Sequence, residues 1–251
     1  MVDPFDLAVE ERPSPNHGPR PDGAAIELVI LHYTGMPSGE GALAWLCDPR
    51  SQVSSHYFVH ADGRLVQMVP EERRAWHAGI SNWHGKADIN SRSIGIEIEN
   101  PGHEHGYAEF PQPQVEAVIA LVRSIMLRRT IFPQAVLAHS DVAPLRKQDP
   151  GEKFPWDRLA AAGVGLWVPP APIRGGRFFQ RGDRGQPVEA LQAMLALYGY
   201  GLEPTGDFDE LTEAVVTAFQ RHFRPERVDG IADVSTIETL AALLRQLPRF
   251  A

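Results

Sequence analysis

The sequence predicts an α/β (α+β) fold followed by a small three-helix domain. Two observations carry this prediction. Short aliphatic and β-branched runs bounded by turn residues alternate with helical patterns as far as Trp156, whereas the later chain shows only amphipathic helical spacing. Between these parts, Pro169, Pro170 and Pro172 give the composition of a semi-rigid linker. We therefore divide the 251 residues into an N-terminal arm (1–23), a main domain (24–165), a linker (166–178) and a helical domain (179–251).

Composition narrows the classes of function. The chain is 43% hydrophobic and 22% charged, which is enough apolar material for a full core. A formal net charge of −8 without a long basic run argues against nucleic acid as a partner. No stretch is apolar enough to span a membrane, and the N-terminal residues lack the basic start and apolar core of a secretory signal. We expect no membrane partner and a cytoplasmic location, with the periplasm as the alternative; no oligomeric state is predicted.

The single cysteine, Cys47, excludes an intramolecular disulfide framework and a thiolate zinc cluster. A metal would need histidine, aspartate or glutamate ligands. Nine of the ten histidines lie at or before His139. Any imidazole chemistry is therefore expected in the first part of the chain.

Two predicted strands each lead to a histidine. Residues 1–23 are rich in proline, asparagine and glycine, and we expect an irregular arm there. The aliphatic run Ile26–Leu31 then predicts a buried strand that ends at His32, and Ala135–Ala138 likewise leads into His139. If these strands are neighbours in one sheet, the two imidazoles come within reach of one ion.

The next segments predict a short helix at Ala42–Leu46 and a β-hairpin. The alternating runs Ser54–Val59 and Arg64–Val69 are joined by an Ala-Asp-Gly turn. His56 and His60 share a face of the first run. Because no carboxylate sits at a matching position, we interpret both as hydrogen-bonded structural histidines rather than metal ligands.

The segments Trp76-His77-Ala78-Gly79 and Trp83-His84-Gly85 belong to a loop too aromatic and glycine-rich to be only a connector. It is equally typical of a groove wall that stacks on an apolar or sugar-like ligand, with His77 as a hydrogen-bond donor, and of a packed Ω-loop. Both interpretations stay open from the residues alone.

Ser93–Glu99 alternates strictly between isoleucines and smaller or acidic residues. The isoleucines are expected in the core, so Glu97 and Glu99 share the opposite face. Two carboxylates on a central strand are unusual unless that face lines a site, because unpaired buried carboxylates are costly. Glu97 is the candidate general base, and Glu99 is expected to pair with a cation or meet solvent.

A helix over Gln114–Arg129 follows from the helical spacing of its apolar residues, with Pro113 suited to the first turn. It is expected to cover one face of the sheet. The preceding segment His103-Glu104-His105 is interpreted as an exposed loop, because no further ligands stand in register with it.

The loop His139–Gly151 is stiffened by two prolines and concentrates polar side chains. In an extended backbone, residues two positions apart share a face. Lys147 and Asp149 should therefore project together, with Arg146 and Gln148 turned away. This face would place a cation and a carboxylate near the first histidine of the loop.

Three amphipathic helices are predicted in the tail, at Gln186–Tyr200, Glu210–Phe223 and Ser235–Leu247. The loops Gly206-Asp207-Phe208-Asp209 and Asp229-Gly230-Ile231-Ala232-Asp233 each precede a helix and offer it side-chain caps. Their similarity indicates an internal pseudo-repeat.

His32, His139 and Asp149 are the candidate metal ligands. Two imidazoles and one carboxylate form a known catalytic zinc shell, which leaves the fourth tetrahedral position to water. Such a site suits hydrolysis, because the ion lowers the pKa of its water towards about 7 and polarises a carbonyl. Glu97 would carry the proton from water to the leaving nitrogen. Lys147 would stabilise the oxyanion, a role in which one donor is worth about 2.7–4 kcal/mol.

Four segments occur in order between residues 24 and 160: Leu31-His32-Tyr33-Thr34, Trp76-His77-Ala78-Gly79, Ile94–Asn100 and His139–Gly151. Together they closely resemble the zinc N-acetylmuramoyl-L-alanine amidases of the AmpD and AmiD type. The resemblance implies a mixed central β-sheet flanked by helices. It also implies cleavage of the amide between N-acetylmuramic (or 1,6-anhydro-N-acetylmuramic) acid and L-alanine in peptidoglycan or muropeptides, for cell-wall turnover and recycling.

The resemblance further implies the site residues. In that family the Zn²⁺ ligands fall on His32, His139 and Asp149, the catalytic residues on Glu97 and Lys147, and segments that line the substrate groove on Trp76, His77 and Asn100. The tail resembles a peptidoglycan-binding module at Val188–Gln192, Ala218–Gln220 and Asp229-Gly230. A helical domain used for packing or dimerisation is the alternative.

Two other functions are weighed against the amidase. A non-catalytic peptidoglycan or muropeptide sensor of the same fold would bind without cutting, but the presence of all three ligand types with Glu97 and Lys147 argues against it. A zinc peptidase that cuts between stem amino acids would release a fragment of different mass. The sequence does not decide between polymeric wall and soluble anhydro-muropeptides, nor the preferred third residue of the stem.

Overall fold

A computed structural model describes residues 7–247. Its strands are β1 (Val9–Glu11), β2 (His17–Pro19), β3 (Leu28–Tyr33), β4 (Tyr57–Val59), β5 (Leu65–Gln67), β6 (Arg73–Ala75), β7 (Ser93–Ile98) and β8 (Val136–Ala138). Its α-helices are α1 (Gly39–Leu46), α2 (Ile89–Arg92), α3 (Gln112–Arg129), α4 (His139–Val142), α5 (Trp156–Ala161), α6 (Gln186–Tyr198), α7 (Glu210–Phe223) and α8 (Val234–Leu244). Within this range, no helix combines the length and apolar character needed to cross a bilayer.

One mixed sheet of six strands organises residues 7–247, in the order β1-β5-β4-β7-β3-β8. Strands β4, β7, β3 and β8 run parallel to one another, whereas β4 and β5 form an antiparallel hairpin. The predicted mixed sheet and hairpin are confirmed, although the hairpin strands are shorter than the alternating runs suggested. The histidine-bearing strands β3 and β8 are direct neighbours, with Leu31 opposite Ala138.

The alternation of β7 explains which face of the sheet is covered. Its three isoleucines are fully buried and share a cluster with Val118 and Val122 of α3. Full burial of one such side chain stabilises the fold by about 1.5–3 kcal/mol. Helix α3 begins two residues before the predicted start, with Pro113 in its first turn as expected.

The N-terminal arm contains two strands, so the prediction of an irregular segment was wrong for the residues that the structure describes. Strand β1 pairs with β5 at the sheet edge, with Val9 opposite Leu65. Strand β2 pairs with β6, with His17 opposite Ala75. Strands of three residues are too short for alternation to reveal them. Strand β1 forms because the sheet edge offers unpaired N–H and C=O groups, whereas β2 and β6 make a separate two-stranded sheet. Residues 1–6 of the predicted arm lie outside the described range.

His56 and His60 are hydrogen-bonded structural residues, as predicted. The Nδ1 atom of His56 accepts from the N–H of Gly95 at 2.9 Å, and its Nε2 lies 3.0 Å from the carbonyl oxygen of Arg73. His60 does have a carboxylate neighbour, contrary to our reasoning, because its Nδ1 lies 3.2 Å from Glu99 Oε2. The carboxylate of Glu99 is therefore turned towards His60.

Helices α6, α7 and α8 lie close to the predicted segments and repeat one arrangement. Asp209 and Asp233 each cap a helix by accepting from the N–H three residues further on, both at 2.8 Å. Gln192 and Gln220 each accept a glycine N–H from the loop before the next helix. The predicted pseudo-repeat is confirmed in these contacts.

The helical region and the sheet share one buried cluster. Leu28 and Trp83 belong to the same cluster as Leu195 and Phe219. The intervening proline-rich segment is also packed, since the N–H of Ala171 donates to Thr239 Oγ1 at 2.9 Å. The two regions are therefore joined by apolar packing as well as by the chain itself.

Candidate metal centre and active site

Three parallel strands bring the candidate residues to one edge of the sheet. In the register of β3 and β7, His32 lies opposite Glu97. On the other side of β3, Leu31 lies opposite Ala138, the last residue of β8, so the next residue, His139, enters at the same level. Because the carboxyl ends of parallel strands meet at one edge, two imidazoles and one carboxyl group converge there.

His32, His139 and Asp149 form a compact buried cluster. Asp149 Oδ2 lies 2.9 Å from His139 Nδ1 and 3.2 Å from His32 Nδ1, and the two Nδ1 atoms are 2.9 Å apart. All three side chains offer a ligand atom, and these atoms lie within 4.8 Å of one another. Ligand distances of about 2.0–2.2 Å around a zinc ion are compatible with this spacing.

A chain of hydrogen bonds assigns the tautomer of His32. The hydroxyl of Ser93 donates to the carbonyl of Ile89 at 2.6 Å, so its oxygen is left to accept from His77 Nε2–H at 3.1 Å. The Nδ1 of His77 can then accept from His32 Nε2–H at 3.0 Å. This leaves the Nδ1 lone pair of His32 directed into the cluster, as a metal ligand requires.

His139 is oriented by a backbone carbonyl instead. Its Nε2 lies 3.2 Å from the carbonyl oxygen of Ala78, so Nε2 is the donor and Nδ1 keeps its lone pair. Arg146 donates to the same carbonyl at 2.9 Å. Both histidines therefore present Nδ1 to the same point.

The electrostatics of the cluster favour a neutral imidazole beside an ionised carboxylate. Burial, and to a lesser extent the neighbouring His139, lowers the pKa of His32 to about 4. Burial alone would raise the pKa of Asp149, but interactions with His139 and His32 hold it well below its usual range. Deprotonated imidazoles and an ionised carboxylate are the forms that bind a cation.

Glu97 sits beside this cluster in an unusual environment. Burial raises the pKa of its carboxyl group well above the ordinary value, and the charge of Asp149 raises it further, whereas Lys147 opposes the shift. Its Oε2 atom is buried and has no hydrogen-bond partner among residues 7–247. A carboxyl group left unpaired at the floor of a cavity is available to exchange a proton with a ligand.

A cavity of about 410 Å³ opens over the cluster. Its walls include the three candidate ligands together with Glu97, Lys147, Trp76 and His77. Both ring nitrogens of His77 are engaged by His32 and Ser93, so only its ring carbons are left to contact a ligand in the cavity. The remaining lining residues include Tyr33, Met36, Trp45, His103, Arg146 and Gln148.

Asn100 lies near the cavity but is not among its lining residues in the described part of the chain. Its Nδ2 donates to the carbonyl of Ala108 at 2.9 Å, and its Oδ1 accepts from the N–H of Gly102 at 3.0 Å. The side chain is buried. Asn100 thus stabilises the loop that follows β7, and its side chain lies behind the residues that line the cavity.

Several lining residues were missed by sequence reasoning, among them Arg146, Gln148 and His103. Arg146 and Gln148 were expected to turn away, but both line the cavity. The segment before Asp149 is a turn, in which the N–H groups of Arg146 and Lys147 both donate to the carbonyl of Ala143. The rule for extended backbone therefore does not apply to it. His103 was interpreted as part of an exposed loop, but its Nδ1 lies 3.0 Å from the hydroxyl of Tyr33. The segment His103-Glu104-His105 was the signal in the sequence that could have indicated this residue.

The structure divides the aromatic loop into two parts. Trp76 faces the cavity, whereas Trp83 is buried against Tyr200, with ring centroids 5.3 Å apart. The first half of the loop is therefore groove wall and the second half is packing. The residues alone could not divide it, because the partner Tyr200 lies far along the chain.

Comparisons with known proteins cover both regions. Residues 22–152 match the family model of N-acetylmuramoyl-L-alanine amidase, and residues 184–240 match that of a peptidoglycan binding domain. The N-acetylmuramoyl-L-alanine amidase AmiD of Escherichia coli (strain K12) is 40% identical over 236 residues, which are 88% of this chain and 83% of that protein. The 1,6-anhydro-N-acetylmuramyl-L-alanine amidase AmpD of Salmonella typhimurium (strain SL1344) is 32% identical over 166 residues, 59% of this chain and 87% of that protein.

Solved structures also match this chain. The complex of E. coli AmiD with the substrate anhydro-N-acetylmuramic acid-L-Ala-D-gamma-Glu-L-Lys matches with a TM-score of 0.75 and 39% identity, over 90% of this chain and 92% of that one. AmpDh3 from Pseudomonas aeruginosa in complex with anhydromuramic pentapeptide matches with a TM-score of 0.73 and 30% identity, over 94% and 96%. Both likenesses extend across the sheet and the helical region.

Proposed function

This chain belongs to the N-acetylmuramoyl-L-alanine amidase family, and we propose that it hydrolyses the amide between N-acetylmuramic acid, or its 1,6-anhydro form, and the L-alanine of peptidoglycan stem peptides. The reaction would serve cell-wall turnover and recycling. The observation that carries the proposal is the meeting of His32, His139 and Asp149 in one cavity with Glu97 and Lys147. The peptide-bearing anhydromuramic ligands of the matched AmiD and AmpDh3 structures support the same substrate class.

We assign Zn²⁺ to the cluster because its donors suit that ion. His32 and His139 offer imidazole nitrogens whose opposite ring atoms are already hydrogen-bonded, and Asp149 offers a carboxylate oxygen. Zinc bound there would supply Lewis acidity, which lowers the pKa of a water towards about 7 and polarises the scissile carbonyl. Every other contribution to the reaction comes from side chains.

Glu97 is assigned as general base and then general acid. Its Oε2 is free to take a proton from the attacking water and to return it to the nitrogen of L-alanine as the amide bond breaks. A raised pKa suits this exchange, because a group of ordinary acidity would hold a proton too weakly to return it near neutral pH.

Lys147 is assigned to the oxyanion that develops on the carbonyl oxygen. It lines the cavity beside Asp149, and its charge acts on both Glu97 and His32. A cation placed in a partly buried cavity stabilises developing negative charge more strongly than it would in water.

The sugar and the stem peptide are assigned to the cavity walls. Trp76 and the half-exposed Trp45 offer flat apolar faces of the kind that pack against sugar rings. His77 would contact substrate only through its ring edge, while Asn100 would act indirectly, by shaping the loop that carries His103 to the rim.

The helical region is proposed to bind wall polymer. The match of residues 184–240 to a peptidoglycan binding domain supports this use over packing or dimerisation alone. The expected cytoplasmic location would be unusual for a polymer-binding protein, and the periplasm is the alternative. Fractionation of cells producing the full chain, followed by immunoblotting, tests the location.

Mass spectrometry of a digestion tests the proposed function. Zinc-loaded protein is incubated separately with anhydro-N-acetylmuramyl tripeptide and with intact sacculi. We expect a free stem peptide that begins with L-alanine, and no product from Asp149→Ala. Cleavage between stem amino acids would identify a peptidase, and binding without any product would identify a sensor; either result contradicts the proposal.

A further inference from the structure

Asp141 is a buried carboxylate that the proposed mechanism does not use. It is the third residue of α4, the short helix that begins with His139. Its Oδ2 accepts from the N–H of Ala138 at 2.8 Å, as the acidic residue of a capping box does. The side chain is fully buried, so its remaining lone pairs need donors from elsewhere in the fold.

Those donors come from the helical region. The Nδ1 of His222 on α7 lies 2.7 Å from Asp141 Oδ2, and the hydroxyl of Tyr200 donates to Oδ1 at 2.8 Å. The Nε2 of His222 has no hydrogen-bond partner in the described part of the chain. We therefore place an N–H on Nδ1, which donates to Asp141.

His222 and Tyr200 are themselves held in place by the side chains packed around them. The ring of His222 stacks on Trp156 with centroids 3.7 Å apart and on Phe223 with centroids 3.8 Å apart. Tyr200 is nearly fully buried and packs edge-on against Trp83. Neither donor can follow Asp141 if the turn moves, so the contacts define where the turn must lie.

The same turn carries the candidate metal ligands. His139 begins α4, and the N–H of Ser140 donates to the carbonyl of Asp149 at 3.0 Å. The position of the α4 backbone therefore sets the positions of two ligands at once. Ligand sites tolerate displacements of only about 0.5 Å before function suffers.

We propose that the helical region is part of the catalytic unit, because His222 and Tyr200 act through Asp141 as positioning residues for the metal ligands His139 and Asp149. This inference rests on the proposed metal site. It assigns the helical region a second use, in addition to any affinity for wall polymer. The carboxylate of Asp141 is the point at which the two regions are coupled.

Two substitutions of the full chain remove the donors while keeping the packing. His222→Phe keeps a stacked ring, and Tyr200→Phe loses only a hydroxyl. The double variant should bind zinc about 10–100-fold more weakly, as is typical when partners behind the ligands are lost. Its kcat on soluble anhydro-muropeptide should fall by a similar factor, with KM unchanged. Replacing His222→Phe by His222→Asn in this double variant puts back an N–H near the Nδ1 position. This change should restore the zinc affinity and kcat.

The readouts are competition with a chromophoric zinc chelator, kcat and KM, and hydrogen exchange of residues 136–149 in metal-free protein. Exchange in this segment should be faster in the double variant and normal in His222→Asn. Gln192→Leu is the matched control, because Gln192 stabilises the helical region without touching Asp141. It should lower the Tm and leave zinc affinity unchanged.

Three results would overturn the inference: normal zinc affinity in the double variant, equal loss of affinity in Gln192→Leu, or no restoration by His222→Asn. Failure of the proposed function is recognised separately, since wild-type protein would then release no stem peptide. The zinc-affinity and exchange measurements would still test the positioning role in that case.

Discussion

The orientation of single imidazole rings decides what the cavity can hold. Ser93 and His77 together fix one ring nitrogen of His32, and the carbonyl of Ala78 fixes one of His139. Each contact removes an alternative tautomer that would point an N–H at the ion. The two histidines are thus oriented for the proposed ligand role by groups that lie outside the proposed metal site.

His77→Phe tests this orientation. The substitution removes the acceptor for His32 Nε2–H, so we expect zinc affinity to fall about 10–100-fold, measured by chelator competition. His77→Asn keeps an acceptor oxygen and should lose less. If His77 acted only on substrate, KM would rise in the phenylalanine variant and zinc affinity would stay normal.

Glu97 and Lys147 can be separated from the metal by substitution. Glu97→Gln keeps the shape but cannot exchange a proton, so kcat should fall about 10²–10⁴-fold. Lys147→Ala should lower kcat about 10²–10³-fold through loss of one oxyanion donor. Elemental analysis should still find one zinc per chain in both. Normal turnover of either variant would contradict the proposed mechanism.

The sequence could identify residues whose chemistry is visible in their type and position. His32 and His139 each follow an aliphatic run, and Glu97 alternates with isoleucines, so their common edge could be inferred. Arg146 and Asp141 could not be placed this way. Their roles depend on a turn and on partners about 60–80 residues away, which no local pattern encodes.

Strand pairing is what turns three distant residues into a site. Hydrophobic patterning predicted β3, β7, the hairpin and α3, because each contains enough apolar residues at strand or helix spacing to be recognised. The strands of the arm escaped prediction because each has three residues and no apolar alternation. Short edge strands depend on the neighbour they meet more than on their own sequence.

The strand β4 is preceded by His56, which makes the sheet sensitive to acid. Burial, and to a lesser extent the guanidinium of Arg20, lowers the pKa of His56 to about 3. The folded state therefore binds this proton more weakly than the unfolded state. The contribution of His56 to stability is complete above about pH 6.5 and is lost as the pH falls towards 3.

Chemical denaturation at several pH values tests this dependence. Between pH 6.5 and 3, the free energy of unfolding should fall, with His56 contributing at most about 1.4 kcal/mol per pH unit. His56→Asn can still accept from Gly95 and should show a shallower slope. A variant slope equal to that of the wild type would assign the acid sensitivity to other groups.

At the scale of the whole molecule, a shared core and a buried carboxylate join the sheet to the helical region. Trp83 lies in one cluster with residues of α6 and α7, and Asp141 draws donors from the same region. The proline-rich segment led us to predict two regions, but composition alone could not show that they pack together. Contacts between distant segments are specified by shape complementarity, which has no signature in a single stretch of sequence.

Removal of the metal should destabilise the whole chain. A ligand that binds only the folded state adds about 4.1 kcal/mol at a thousandfold excess over its Kd. We therefore expect chelation to lower the Tm and added zinc to restore it, measured by differential scanning calorimetry. Asp149→Ala should show neither change, and an equal response in that variant would place the stabilising ion elsewhere.

The most direct measurement is an anomalous difference map, recorded at the zinc edge from crystals of active protein. We predict one strong peak about 2.0–2.2 Å from His32 Nδ1, His139 Nδ1 and Asp149 Oδ2. A peak bound by other residues, or no peak in crystals whose dissolved protein still releases stem peptide, would contradict the proposed metal centre.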